Sequence, residues 1–336
     1  MHCTPWLVAF GCILAIQAKK ESLVTEEFPL LMPNAKPDLP ETYFCTPIRL
    51  DTDLTYYIVG FRPNATKMTA HHMLVYGCEE PGSKDPLWNC GEMAVKQPGL
   101  KTHKPCGSGD QIVYAWGMDA PSLELPAGVG FRVGADSSIK YLVLQVHYAS
   151  IDEIPEKGDD SGVFLQYTEE QQPKSAGVLL LGTGGFAPAH STTYFETSCE
   201  IEDTREIHPF AFRTHTHGLG KVVSGWRVRD KNNWKLIGKK DPMLPQMFYP
   251  IETEMTVRKG DTIAARCTMV NNRDRTVYIG TTNEDEMCNF YMMYWVEGKQ
   301  PVTPNTCFTR GPPTWSWGGW FGGGLSNIPD LEASTL

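Results

Sequence analysis

Six histidines carry the chemical interest of this chain, and they fall in a few compact places. His71 and His72 are adjacent in HHMLVYGC, His147 lies in LQVHY, and His215 and His217 form a His-x-His pair in FRTHTHG. A β-strand turns side chains i and i+2 to the same face. Arg213, His215 and His217 therefore project together, and His208, an odd number of positions away, is expected on the opposite face. In DEMCNFYMMYW the same parity puts Met287, Asn289, Tyr291 and Met293 on one face and turns Cys288 away, free to form a bridge. Adjacent His71 and His72 can share an ion only at a strand end or on a twisted backbone. Imidazole sets with an open position serve Zn²⁺ or copper alike, whereas a thioether such as Met287 is soft and favours Cu(I). A zinc hydrolase would need a general base near the metal, and no HExxH pattern occurs.

The elements that must position these residues read as short strands broken by Gly, Pro, Asn and Asp. TYYIVGF, QIVYAW, YLVLQVHYA and GVFLQYT form a first series; GVLLLG, KVVSGWRVRD, DTIAARCTMV and NFYMMYWVE form a second. Close spacing without a sustained 3.6-residue period predicts an all-β protein, two antiparallel β-sandwiches in tandem. Polar, proline-bearing residues 150–161 and 169–175 mark the break between them. This gives a first sandwich over 42–172 and a second over 173–309. Residues 19–41 show no period and read as a lead-in. Residues 310–336, rich in Gly, Trp and Pro, read as a flexible or processed tail.

Residues 6–18 form an apolar run ending in a small residue before Lys19 and Lys20, which reads as a signal peptide over 1–18. No other window is long and apolar, so no transmembrane anchor is expected. Two of the ten cysteines leave with the signal. The remaining eight, an even number in a secretory chain, read as bridges, with 105 possible pairings on arithmetic alone. Asn64-Ala65-Thr66 is a glycosylation sequon. A net charge of −9 argues against a nucleic-acid partner.

HHMLVYGC, LQVHY, FRTHTHGLGKVVSGWRVR, LPQMFYP, AARC and DEMCNFYMMY resemble, in order and spacing, the peptidylglycine α-hydroxylating monooxygenase family, from about Thr42 to Cys307. The resemblance implies two jelly-roll-like sandwiches holding one copper each, in a secreted or granule-lumen enzyme that uses ascorbate and O₂. His71, His72 and His147 would hold the electron-transfer copper. His215, His217 and Met287 would hold the copper at which a glycine-extended peptide is hydroxylated, the first step of amidation. Arg213 and Tyr291, with Asn289 beside them, match the substrate anchors. A solvent-filled cleft is implied between the sites. The pairing implied is Cys45–Cys90, Cys78–Cys106, Cys199–Cys307 and Cys267–Cys288. A further bridge of some members has no cysteine here, Asp160 standing near its place, and the stretch between Cys90 and Cys106 is longer than usual. Gln145 is expected to serve in structural hydrogen bonding, and His103 and His190 to be solvated. A separate lyase, or slow spontaneous breakdown, is expected to complete amidation, because the chain ends soon after the second sandwich. Two rival readings remain. One is a sibling hydroxylase of a catecholamine-like amine, which has no carboxylate for Arg213; the other is a non-catalytic copper-binding sandwich, which would need neither Arg213 nor Tyr291.

Overall fold

The computed structural model describes residues 23–90, 101–280 and 284–336. The signal-peptide reading and most of the Cys90–Cys106 insertion lie outside these residues.

Strands of six or more residues are labelled in chain order. They are β1 Glu26–Leu31, β2 Thr42–Arg49, β3 Thr55–Asn64, β4 His72–Cys78, β5 Gln111–Gly117, β6 Val129–Gly134, β7 Tyr141–Tyr148 and β8 Gly162–Thr168. The second half adds β9 Lys174–Thr183, β10 Ser191–Glu200, β11 His208–Thr216, β12 Gly220–Arg229, β13 Asn233–Lys240, β14 Thr262–Asn271 and β15 Cys288–Glu297. Val, Ile, Tyr and Phe recur along them, as suits pleated and half-buried surfaces.

In the first sandwich, β1-β8-β3-β6 faces β2-β7-β4-β5. Phe44, Phe61, Trp116, Phe131 and Val146 fill the space between, with Phe61 stacked on Tyr114 at 4.4 Å. In the second, β9-β15-β11 faces β10-β14-β12-β13 over Phe195, Phe212, Ile263, Phe290 and Met292. The sandwiches share one sheet, because β6 pairs in parallel with β9 at Val129↔Lys174 and Gly130↔Ser175. Strand β15 is apolar on both faces for that reason. Phe290, Met292 and Tyr294 enter the second core, while Tyr291 and Met293 join the first cluster.

Four disulfides join Cys45 to Cys90, Cys78 to Cys106, Cys199 to Cys307 and Cys267 to Cys288. The last ties β14 to β15 and so pins the two sheets of the second sandwich together. Cys288 faces into that core, away from Asn289 and Tyr291.

Two stretches differ from the sequence expectation. The lead-in contains β1, which pairs with β8 along its length, and buries Leu30, Met32 and Ala35 in the first core. Pro29 hid this strand, yet proline is tolerated on an edge, and β1 is the edge of its sheet. The tail is also packed rather than loose. Trp317, Leu325 and Ala333 cover the outer face of the second sandwich at Trp226, Val228 and Ala264. Arg266, stacked on Trp317, bonds Glu196, Asp330 and Ser334, and the Trp317 indole N–H donates to Thr197 O at 2.9 Å. Aromatic anchoring through loops and a short helix, Asp330–Ser334, has no period to read.

Candidate metal centres

The first histidine set is assembled by strand pairing. His72 opens β4 and lies opposite His147 of β7, while the His71 backbone N–H donates to His147 O at 2.9 Å. The strand end thus brings all three imidazoles to one point. Nδ1 of His71 is 3.2 Å from Nδ1 of His72, and Nδ1 of His147 is 3.4 Å from Nδ1 of His72. Ligand atoms of the three lie within 4.8 Å of one another. On its far side, His147 Nε2 is 2.8 Å from Glu41 Oε2. A carboxylate only accepts, so Nε2 carries a hydrogen, and in the neutral ring Nδ1 is then the atom with the lone pair. Tyr43, paired with His147 across β2 and β7, stacks on its ring at 4.1 Å.

Burial is the main reason His72 stays neutral well below the usual imidazole range; His147, His71, Arg213 and His215 reinforce it. His71 is held down more mildly, by burial and then by His147, with Glu41 opposing. Three imidazoles that converge within 4.8 Å, held uncharged at His71 and His72 by burial, make a donor set that fits a metal ion.

The second set stands where β11 meets β15. Arg213 pairs with Tyr291 and His215 with Asn289, so directly opposed residues share a face, as parity requires. Thr216↔Cys288 is the last pair, and His217 and Met287 are the next residue on each strand. Glu286, 1% exposed, ties these ends together. Its carboxylate accepts the backbone N–H of His217, of Leu219 at 2.6 Å and of Met287 at 3.1 Å. Burial raises the Glu286 pKa despite those bonds.

The tautomers of this set follow from its acceptors. His215 Nδ1 and Arg213 Nη2 both reach Gln246 Oε1, at 2.6 and 3.2 Å, which makes that atom an acceptor of two donors. His217 Nδ1 faces Asp285 O at 3.1 Å. Both rings therefore leave Nε2 bare, and His217 Nε2 is buried with no hydrogen-bond partner among the described residues. Burial, then Arg213 and His217, push the His215 pKa down to about 3. Asn289 Nδ2 lies 3.9 Å from the Met287 sulfur and 3.4 Å from the Tyr291 hydroxyl. Two imidazole nitrogens and a thioether suit copper better than zinc.

Arg213 is 2% exposed and lies over the Tyr291 ring at 4.8 Å. Its Nε donates to Gln246 O at 3.1 Å, and its Nη1 has no partner among the described residues. A buried guanidinium with a free donor beside a candidate metal-ligand set is a ready seat for an anion.

One expectation is corrected here. His208 does not face away: a β-bulge at Phe210 shifts the register, so His208 pairs with Trp295 on the face of Tyr291 and stacks on it at 3.7 Å. The insertion of one residue reverses parity upstream of it. Close to the first set, Gly117, the partner of His72, approaches the second half of the chain: a Cβ there would stand 3.2 Å from the Gln246 backbone nitrogen. Gln145 is buried among the disulfides, 3.5 Å from Tyr76 Oη and 3.6 Å from Cys90 Sγ, a structural placement. His103 is exposed, and His190 is an exposed partner of Asp274.

Sequence reasoning missed Glu41, Tyr43, Gln246 and Glu286. Glu286 stands next to Met287, and Gln246 lies within LPQMFYP; adjacency was their only signal.

Two family profiles match the chain. The N-terminal domain of copper type II ascorbate-dependent monooxygenase matches residues 28–155, and its C-terminal domain matches residues 174–318. Peptidyl-glycine alpha-amidating monooxygenase A of Xenopus laevis is 41% identical over 286 residues, 84% of this chain and 29% of its own. The Mus musculus peptidyl-glycine alpha-amidating monooxygenase is 42% identical over 280 residues, 82% of this chain and 27% of its own. Dopamine beta-hydroxylase of Homo sapiens is 26% identical over 310 residues, 87% of this chain and 47% of its own. The chain thus spans less than a third of the length of the two amidating relatives. Among solved structures, a chain from the triple jelly roll fold and turret assembly of an archaeal virus overlaps 86% of this chain and 62% of its own. Its TM-score of 0.21 and 7% identity are too slight to carry an argument. The profiles span both sandwiches, and the chain belongs to the copper type II ascorbate-dependent monooxygenase family.

Proposed function

We propose that the chain hydroxylates the α carbon of the C-terminal glycine of glycine-extended peptides. The observation that carries this is the buried, partly unpaired Arg213 on the face of His215, with Tyr291 beside it. His71, His72 and His147 would hold one copper, and His215, His217 and Met287 the other. Bound copper supplies the one-electron steps and the O₂ activation that side chains lack, with ascorbate as the electron source.

The chain's own residues do the rest. Arg213 forks onto the peptide's terminal carboxylate, and the Tyr291 and Asn289 side chains border the same seat. Holding the carboxylate there fixes the glycine Cα next to the second centre, and such orientation lowers the barrier by avoiding entropy loss. Gln246 keeps His215 in its Nδ1–H tautomer and holds the Arg213 side chain, so substrate seat and ligand set are aligned by one amide. Glu286 holds the His217 and Met287 backbones in register. In the net change one oxygen atom of O₂ converts C–H to C–OH, and the other leaves as water after taking two electrons from ascorbate and two protons.

An amine substrate, which has no carboxylate, would leave Arg213 unmatched; identity to the amidating relatives is also higher than to dopamine beta-hydroxylase. Loss of the carbon fragment from the hydroxyglycine is a non-oxidative cleavage, which we assign to a separate lyase. Four disulfides and the Asn64 sequon support residence in the secretory pathway. No helix among the described residues is long and apolar enough to cross a membrane.

Mass spectrometry of a glycine-extended peptide incubated with the copper-loaded protein and ascorbate tests the reading. One added oxygen on the terminal glycine is the expected product; an unmodified peptide alongside oxidation of phenethylamine would overturn it.

A further inference from the structure

The carboxylate behind His147 stands where the local backbone disfavours it. Glu41 precedes β2 with φ at 57°, a left-handed conformation in which a residue with a Cβ is strained. Its side chain is 47% exposed, yet it reaches inward to an imidazole that is only 6% exposed. A solvated carboxylate gains little by surrendering water for a surface contact. Here the contact is made to a buried ring whose other nitrogen points at two further imidazoles.

We infer that Glu41 is a positioning residue of the first centre: its carboxylate holds His147 as the Nε2–H tautomer, so that Nδ1 faces the metal. This rests on the reading of His71, His72 and His147 as metal ligands. Tyr43, stacked on His147 with planes 7° apart, sets the plane of the ring but cannot choose which nitrogen carries the hydrogen. Glu41 makes that choice, because it accepts at Nε2 only. It also adds a negative charge behind the ligand, which makes the imidazole more basic toward a cation. The second centre solves the same problem with neutral acceptors, Gln246 Oε1 and Asp285 O, and in the opposite tautomer. Charge reaches the second centre by other routes, from Arg213 beside His215 and from Glu286, whose Oε1 lies 3.9 Å from His217 Nδ1.

The test compares full-length Glu41→Gln, Glu41→Ala and Glu41→Gly proteins with wild type. Histidine-selective ¹⁵N labelling of the metal-free protein reads the His147 tautomer, and competition with a chelator reads copper affinity at each centre. Wild type should show the Nε2–H form. Glu41→Ala and Glu41→Gly should show a mixture and lose copper affinity at the first centre by roughly 10- to 100-fold, the second centre keeping its own. Glu41→Gln should keep the tautomer, since its amide oxygen accepts the same bond, and lose less. Glycine suits the left-handed backbone, so Glu41→Gly should unfold at a higher temperature than Glu41→Ala while binding copper no better. A split between stability and affinity would not follow from a merely structural role. An Nδ1–H tautomer in wild type, or unchanged copper affinity in all three variants, overturns the inference and leaves the proposed function standing. If wild type binds no copper at the three histidines, both fall.

Discussion

Replacing Arg213 by lysine separates charge from geometry at the proposed substrate seat. Arg213 is buried, with Nε committed to Gln246 O, Nη2 shared with Gln246 Oε1 and Nη1 free among the described residues. An incoming carboxylate can take Nη1 and compete for Nη2. Lysine keeps the positive charge but offers a point rather than a fork. The variant should therefore lose one of two charge-assisted bonds, each worth about 1.5–3 kcal/mol. That corresponds to roughly a 10- to 160-fold loss in affinity. Arg213→Met should lose both. The assay is competition binding with two ligands, a glycine-terminated peptide acid and the same peptide with its terminal carboxylate blocked as the neutral amide. In Arg213→Lys the acid should weaken by the stated factor and the amide hardly at all. Copper content at the second centre must be measured first, because Arg213 and His215 share Gln246. If acid and amide weaken equally while copper is retained, Arg213 does not bind the carboxylate and the substrate assignment fails.

Glu286→Ala strands three backbone N–H donors, and at about 1–3 kcal/mol each the unfolding free energy should fall by more than about 3 kcal/mol, read by denaturant titration. The same variant should lose copper from the second centre before the first. Cys267→Ala with Cys288→Ala opens a link of sequence separation 21 and should cost about 3 kcal/mol, measured in the same titration. Trp317→Ala removes a fully buried indole from the tail and should cost about 3–5 kcal/mol; no change would mean that the tail does not stabilise the sandwich. Acid should weaken the metal-free protein through His215, whose folded pKa is about 3 against an ordinary 6.5. Below pH 6.5 the unfolded chain takes up a proton that the folded one refuses, so stability is intact above 6.5 and declines between 6.5 and about 3. His215→Gln should flatten that decline in unfolding curves taken across the range.

Strand parity made much of the second site legible, and its limits are physical. Between Ala211 and Thr216, and along Cys288–Glu297, the ladder runs without a bulge, so Arg213, His215, Asn289 and Tyr291 fall on one face as an i, i+2 rule demands. One extra residue at Phe210 defeats the rule for His208 only a few positions away. The residues that orient the imidazoles were invisible for a different reason. Glu41 is 106 residues from His147, and Gln246 is 31 from His215, and nothing local marks either as a partner. The edge strand β1 and the tail eluded the reading because a proline-bearing edge and an aromatic loop carry no periodicity, although both bury core side chains.

The pairing of β6 with β9 gives the two sandwiches a common backbone lattice rather than a tether. Polypeptide of any length could join two domains and leave their separation to diffusion. Hydrogen-bonded strands run from β1 to β11, which carries His215, while His72 and His147 stand on the facing sheet β2-β7-β4-β5 and are tied to that lattice through the first core. Tyr291 and Met293 add apolar packing across the seam. On the proposed function, an electron passing from the first centre to the second would cross a distance set by the fold, as the span of an arch is set by its stones. Mutations far from either ligand set, at Val129, Gly130 or Lys174, should change the transfer rate without changing either metal's affinity.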